Sequence, residues 1–257
     1  MEINRFHTRD ETAAAAGEAL NSLLMKNKNR PVLLLLSGGS ALSILDYISA
    51  SSLGENLTIT MLDERFSPLE AKAQGAAASN GNLPLMELNQ DPPVNNFSQL
   101  QRHDFYSLAQ SAQVNFIGTL PRPGENIDDL RVRWEIALRK WREENPKGKI
   151  MATFGVGEDG HTAGIFPYPE NPQFFENTFE NRNWIVGYKA KGKHKYPDRV
   201  TTTLPFFKNI DEAIVFVCGE EKRHALQRLI QGKEQTHAVP ALGLYETKLF
   251  QVFTDIL

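Results

Sequence analysis

Val32-Leu-Leu-Leu-Leu36 runs directly into Ser37-Gly38-Gly39-Ser40. The apolar run is far too short to cross a bilayer and is apolar on both faces, the pattern of a strand covered by helices on both sides. A helical segment is expected around residues 41–49. Leu57-Thr-Ile-Thr-Met-Leu62 reads as the next strand and stops at Asp63-Glu64-Arg65. Ile150-Met-Ala-Thr-Phe154 repeats the form and leads into Gly155-Val-Gly-Glu-Asp-Gly-His-Thr-Ala-Gly-Ile-Phe-Pro167. Short apolar strands alternating with helices predict an α/β fold with a mainly parallel sheet. In such sheets ligands bind beyond the carboxyl ends of strands. Ser37, Asp63 and Gly155 each fall at such an end, so three separate segments are expected to converge on one crevice.

Outward from these strands the pattern continues. Thr8 with Glu11 three positions later is a capping-box signature for an Ala-rich helix ending near residues 26–29. Residues 66–98 are rich in Pro, Asn and Gly and predict loops and short helical turns. A helix is expected over 99–110, a short strand over 114–117, and an amphipathic helix over 126–144 bearing Trp134, Ile136, Leu138 and Trp141. Further strands are expected over 184–188, 213–218 and 249–253, with a helix over 221–230.

The chain has 257 residues; at roughly 150 per domain this predicts a single domain over 1–257. Lys plus Arg number 28 against 31 Asp plus Glu, a net charge of −3, which offers no chain-wide field for nucleic acid or an anionic membrane. Any phosphate site must be local. The one cysteine, Cys218, cannot form an internal disulfide and reads as a small buried apolar residue, which fits a reducing compartment. With no signal-peptide pattern at the start and no apolar run near 18 residues, a cytoplasmic location is expected. No His or Cys spacing suggests a metal.

Three segments carry the chemistry. Ser37-Gly38-Gly39-Ser40 suits an anion, because glycines let backbone N–H groups approach and a helix N-terminus favours negative charge. It suits a plain strand-to-helix turn equally well. Asp63-Glu64-Arg65 could hold a polar substrate or be a charged loop stitched by its own ion pair. Gly155 to Pro167 crowds four glycines at an expected strand-to-helix corner and leaves Asp159 and His161 two positions apart. A histidine titrates near neutrality and can take a proton from water, as hydrolysis without a covalent intermediate requires. The competing role for His161 is a cap on the following helix. Arg199 and Lys222 are further cations able to neutralise a phosphate. The basic stretch Lys189, Lys191, Lys193, His194 and Lys195 reads as a solvated face, with helping to draw in an anion as the alternative, and His7, His103, His224 and His237 show no partner pattern.

With Ser79-Asn80, Arg199-Val-Thr-Thr-Thr-Leu-Pro205 and Gly219-Glu-Glu-Lys222 added, these segments resemble the 6-phosphogluconolactonases, within a superfamily that also holds the glucosamine-6-phosphate deaminases. The resemblance runs from about residue 13 to 222. It implies a three-layer α/β/α, modified Rossmann-like fold that uses no cofactor. It also implies hydrolysis of 6-phospho-D-glucono-1,5-lactone in the oxidative pentose phosphate pathway; apart from the resemblance, a monomer or weak homo-oligomer is expected.

Carried over by position, His161 would be the base, with Asp159 and Asp63 as its electrostatic and orienting neighbours. Ser37, Gly38, Gly39, Ser40, Arg65, Asn80, Gly157, Arg199 and Lys222 would hold the phosphate and hydroxyls. After the shared Asp-Gly-His the deaminases usually continue Ile-Ala-Phe-Asn-Glu-Pro, whereas this chain has Thr162-Ala-Gly-Ile-Phe-Pro167 and lacks that carboxylate. The chain departs from the usual lactonase pattern at Gly164, where Ser is common, and at Ala41-Leu42, where Thr-Pro is common; the latter is the one sequence hint toward the alternative of a non-catalytic sugar-phosphate-binding protein.

Overall fold

The structure, a computed structural model, describes residues 1–67 and 94–257. Seven strands form one parallel sheet: β1 (Glu2–Arg5), β2 (Val32–Leu36), β3 (Leu57–Met61), β5 (Asn115–Phe116), β6 (Lys149–Gly155), β9 (Glu212–Val217) and β10 (Phe250–Thr254), in the spatial order β1-β10-β9-β6-β2-β3-β5. Every residue of β2 and β3 is buried, as expected of strands covered on both faces. A second, antiparallel sheet joins β4 (Asp63–Arg65), β8 (Asp198–Thr202) and β7 (Ile185–Lys189) in the order β4-β8-β7. The fold is the expected α/β class, a parallel sheet flanked by helices.

Helix α1 (Arg9–Asn27) starts where Thr8 accepts a hydrogen bond from the Glu11 N–H. It packs on β9, β10 and a 3-10 helix over Gly39–Tyr47. Gly17 makes that last contact possible, since a β-carbon there would lie 2.5 Å from Tyr47 Cβ and 2.6 Å from the Ile44 carbonyl oxygen. Helix α4 (Ile127–Glu144) is closed by a capping box between Asn126 and Asp129 and packs on β7 and β8. It buries Leu130, Trp134, Leu138 and Trp141, spaced by three and four residues, whereas Ile136 lies on the opposite face and is 61% exposed.

The expected helix over 99–110 is two helices, α2 (Asn96–Gln101) and α3 (Asp104–Ser111). His103 divides them, its Nδ1 accepting from the Phe105 N–H at 3.2 Å and its Nε2 lying 3.4 Å from Asp46, so it does have partners. Helix α5 (Pro172–Phe179) begins well beyond Pro167, so Gly155 to Pro167 is not a strand-to-helix corner and His161 caps no helix. Helix α6 (Leu204–Phe207) is a single turn after β8. Helix α7 (Arg223–Gln231) follows a 3-10 turn over Glu220–Lys222. Among the described residues, no helix is long and apolar enough to cross a membrane.

Candidate active site

Because the large sheet is parallel, β2, β3, β6 and β9 all end on one edge. Chain order moves from β2 through β3 to β5 in one direction and from β6 through β9 to β10 in the other. The switch point therefore lies between β2 and β6, where an open α/β sheet leaves a crevice. A cavity of about 520 Å³ opens there. It brings together Ser37, Gly38, Gly39, Ser40, Asp63, Arg65, Gly157, Asp159, His161, Arg199 and Lys222. Asn80 lies outside the described residues. The glycine turn is tied down on both sides: the Ser37 N–H donates to Thr153 Oγ1 at 3.0 Å and the Gly39 N–H to Gln99 Oε1 at 3.3 Å.

After β6 the chain folds back on itself. The Gly157 N–H donates to the His161 carbonyl at 2.9 Å, the Gly160 N–H to the Gly157 carbonyl at 3.0 Å, and the Thr162 hydroxyl to the Gly155 carbonyl at 2.7 Å. Gly160 supplies the positive φ of +86° this turn needs. The loop is then clamped by the small sheet, with the Thr201 hydroxyl donating to the Ala163 carbonyl and the Tyr188 hydroxyl to the Gly164 carbonyl.

At its tip, Asp159 Oδ1 accepts both the His161 N–H at 3.0 Å and Nδ1 at 2.6 Å. Burial pushes the Asp159 carboxyl up, but the His161 hydrogen bonds and charge outweigh it and hold the group below the ordinary carboxylate range. A carboxylate so placed fixes the proton on Nδ1 and leaves Nε2 as the basic nitrogen.

Strands β4 and β8 also contribute to the cavity lining, and there Arg65 and Arg199 are direct cross-strand partners. Two like charges face one another at a position that ordinarily repels. Each has compensation: Arg199 Nη1 lies 3.3 Å from Asp63 Oδ2 with both side chains buried, and its guanidinium sits 5.5 Å from the Phe166 ring centroid. Arg65 sits 5.6 Å from the Tyr196 ring centroid. Burial, then the neighbouring charge of Arg199, lowers the Arg65 guanidinium pKa. Nε of each arginine is buried without a partner among the described residues. Asp63 is thus engaged by Arg199, while His161 is held by Asp159.

Glu64 points the other way and is fully buried. Its carboxylate accepts from the N–H groups of Arg65, Asn96 and Phe97 and from the Thr119 hydroxyl. It therefore fastens β4 to the start of α2, a role different from an ion pair within Asp63-Glu64-Arg65.

Three further residues line the cavity, of which Asn96 had no sequence signal. Asn96 packs under Gly38, where a β-carbon would lie 2.5 Å from its Oδ1, and donates to the Asp63 carbonyl at 2.9 Å. No local pattern marks it. Lys193 and His194 also line the cavity, so for these two the solvated-face reading gives way, while Lys189, Lys191 and Lys195 are exposed. Lys193 pairs with Glu170 at 2.7 Å, while Lys222 makes no ion pair among the described residues. Among the same residues, no group of three or more His, Cys, Asp and Glu side chains is arranged to hold a metal ion.

Residues 7–252 match the family model described as glucosamine-6-phosphate isomerases/6-phosphogluconolactonase. The chain belongs to this family. Among curated members, a bovine 6-phosphogluconolactonase is 34% identical over 92 residues, covering 36% of this chain and 33% of that protein. The chain therefore matches about a third of that relative's length. A 6-phosphogluconolactonase of Neisseria meningitidis is 22% identical over 239 residues, covering 92% and 89% of the two chains.

The fold is shared by both branches of the family. A 6-phosphogluconolactonase structure from Trypanosoma brucei superposes with a TM-score of 0.69 at 17% identity, over 98% of this chain and 95% of that one. A monomeric glucosamine-6-phosphate deaminase does so with a TM-score of 0.68 at 15% identity, over 99% and 97%. Family and fold are thus fixed, and the choice of reaction rests on the site.

Proposed function

We propose that this chain hydrolyses 6-phospho-D-glucono-1,5-lactone, with His161 as general base. The observation that carries the reading is the Asp159–His161 pair at 2.6 Å in the lining of a cavity that Arg65 and Arg199 also line. The arginines suit the phosphate, by charge and fork geometry. His161 Nε2 takes a proton from water as the water oxygen bonds to the lactone carbonyl carbon. The tetrahedral intermediate then collapses, the bond from that carbon to the ring oxygen breaks, and the imidazolium returns its proton to the ring oxygen. Asp159 stabilises the imidazolium between these steps. No covalent enzyme intermediate and no cofactor is used.

A deaminase would need a carboxylate that this chain lacks at the matching position. Aligning its usual Asp-Gly-His-Ile-Ala-Phe-Asn-Glu-Pro on this chain sets the glutamate at Phe166, a buried ring 4.8 Å from the His161 ring. No carboxylate is available there for proton transfer in ring opening.

The test is lactone turnover measured against spontaneous hydrolysis, wild type beside His161→Asn, with ammonia release from glucosamine 6-phosphate assayed in parallel. A general base contributes about 10² to 10⁴-fold, so the variant is expected to lose at least two orders of magnitude in kcat. Equal turnover by both proteins, or ammonia release by the wild type, overturns the reading.

A further inference from the structure

The loop between β7 and β8 brings a second histidine to the cavity. His194 is half-buried, and its ring lies 5.9 Å from Phe166, which in turn lies 4.8 Å from His161. On its other side it is 5.7 Å from Tyr196, the ring beneath Arg65, while Phe166 is the ring beneath Arg199. His194 therefore sits within the aromatic support of both cavity arginines.

Its tautomer follows from the local backbone. His194 Nδ1 accepts the Tyr196 N–H at 3.1 Å. A nitrogen that accepts carries no proton, so in the neutral ring the proton is on Nε2. Adding a second proton at Nδ1 would set two donors against each other. Burial first, then the charges of Arg199, Arg65, His161 and Lys195, lowers the pKa of this group, in keeping with a neutral ring. Nε2 has no hydrogen-bond partner among the described residues.

Building on the proposed function, we propose that His194 donates a hydrogen bond through Nε2 to an oxygen of the substrate's anionic group, beside Arg65 and Arg199, and so sets substrate affinity. The residue contributes a neutral donor where a third fixed cation would add to the repulsion already present between the two arginines. It is a binding residue that leaves the proton transfers to His161.

Two substitutions separate this role from a structural one. His194→Asn keeps an acceptor at the Nδ1 position for the Tyr196 N–H, as an Asx turn, and deletes the distal donor. His194→Gln keeps a distal N–H and gives up the local acceptor. A hydrogen bond to a charged group corresponds to roughly tenfold or more in affinity. His194→Asn is therefore expected to raise KM for the phosphorylated lactone about tenfold with kcat little changed and Tm unaltered. His194→Gln should stay within about threefold of wild type. D-Glucono-1,5-lactone, which lacks the phosphate, should not distinguish the three proteins.

The proposal is overturned if His194→Asn matches wild type on the phosphorylated lactone, or if His194→Gln loses as much as His194→Asn. Should the wild type show no lactone turnover, the reaction assignment fails separately. Calorimetric binding of 6-phosphogluconate still decides the role of His194, by about a tenfold weakening in His194→Asn or by none.

Discussion

The imidazole of His161 lies directly against the backbone of Gly157: a β-carbon on Gly157 would stand 2.0 Å from His161 Cε1 and 2.2 Å from Nδ1. The turn closed by the Gly157–His161 and Gly160–Gly157 hydrogen bonds thus makes room for the ring by omitting a side chain. The position of the base depends on that missing side chain as much as on Asp159.

Gly157→Ala is accordingly expected to displace the His161 ring while leaving the sheet intact. A shift of about 1 Å in a catalytic group costs on the order of 10²-fold. Lactone turnover should fall by about that factor, with the far-ultraviolet circular dichroism spectrum unchanged and 6-phosphogluconate still bound. A variant as active as wild type would mean that the ring has another place to go.

Glu64 predicts a pH dependence of stability. Burial pushes its carboxyl up from 4.5 to about 7, against the opposing hydrogen bonds of Thr119, Phe97, Asn96 and Arg65. The folded state therefore holds this proton more tightly than the unfolded chain. The group's contribution is fully present below about pH 4.5 and is lost as pH rises through 7. At ~1.4 kcal/mol per pH unit the change amounts to about 3 kcal/mol. Urea denaturation should show the unfolding free energy of wild type falling by up to that amount, relative to Glu64→Gln, between pH 4.5 and 7.5. A constant difference between the two proteins across this range would exclude Glu64 as the source.

Gly164 predicts a stability effect of the opposite kind from family resemblance. Its φ is +63°, and a β-carbon there would lie 2.5 Å from Asp63 Oδ2. Introducing the serine common at this position in lactonases should strain the backbone and push Asp63 off Arg199, costing about 1–3 kcal/mol. Calorimetry should record a lowered Tm for Gly164→Ser. An unchanged or higher Tm would show that Asp63 can yield without loss.

Much of the site was legible because its residues lie in compact segments at strand ends. Ser37 to Ser40 follows β2, and Asp159 and His161 lie within seven residues of the end of β6, so a strand pattern alone places them on one edge. The partnership of Asp63 with Arg199 was not legible, since it spans 136 positions and requires the antiparallel pairing of β4 with β8. Asp63-Glu64-Arg65 reads as a charged loop because a three-residue strand has no hydrophobic period. Strand β1, Glu2–Arg5, was missed for the same reason: an edge strand this short carries no apolar run.

The sequence by itself determined the α/β class, the positions of the main strands along the chain and the nearness of Asp159 to His161, because hydrophobic period and neighbouring positions are local properties of a chain. Only the tertiary structure decided that Glu64 faces inward and Arg65 toward the cavity, that Asp63 serves Arg199, and that Asn96, Lys193 and His194 complete the cavity wall. Those assignments depend on which strands pair and on which side of a strand a residue emerges, and both are set by packing between segments far apart in the chain.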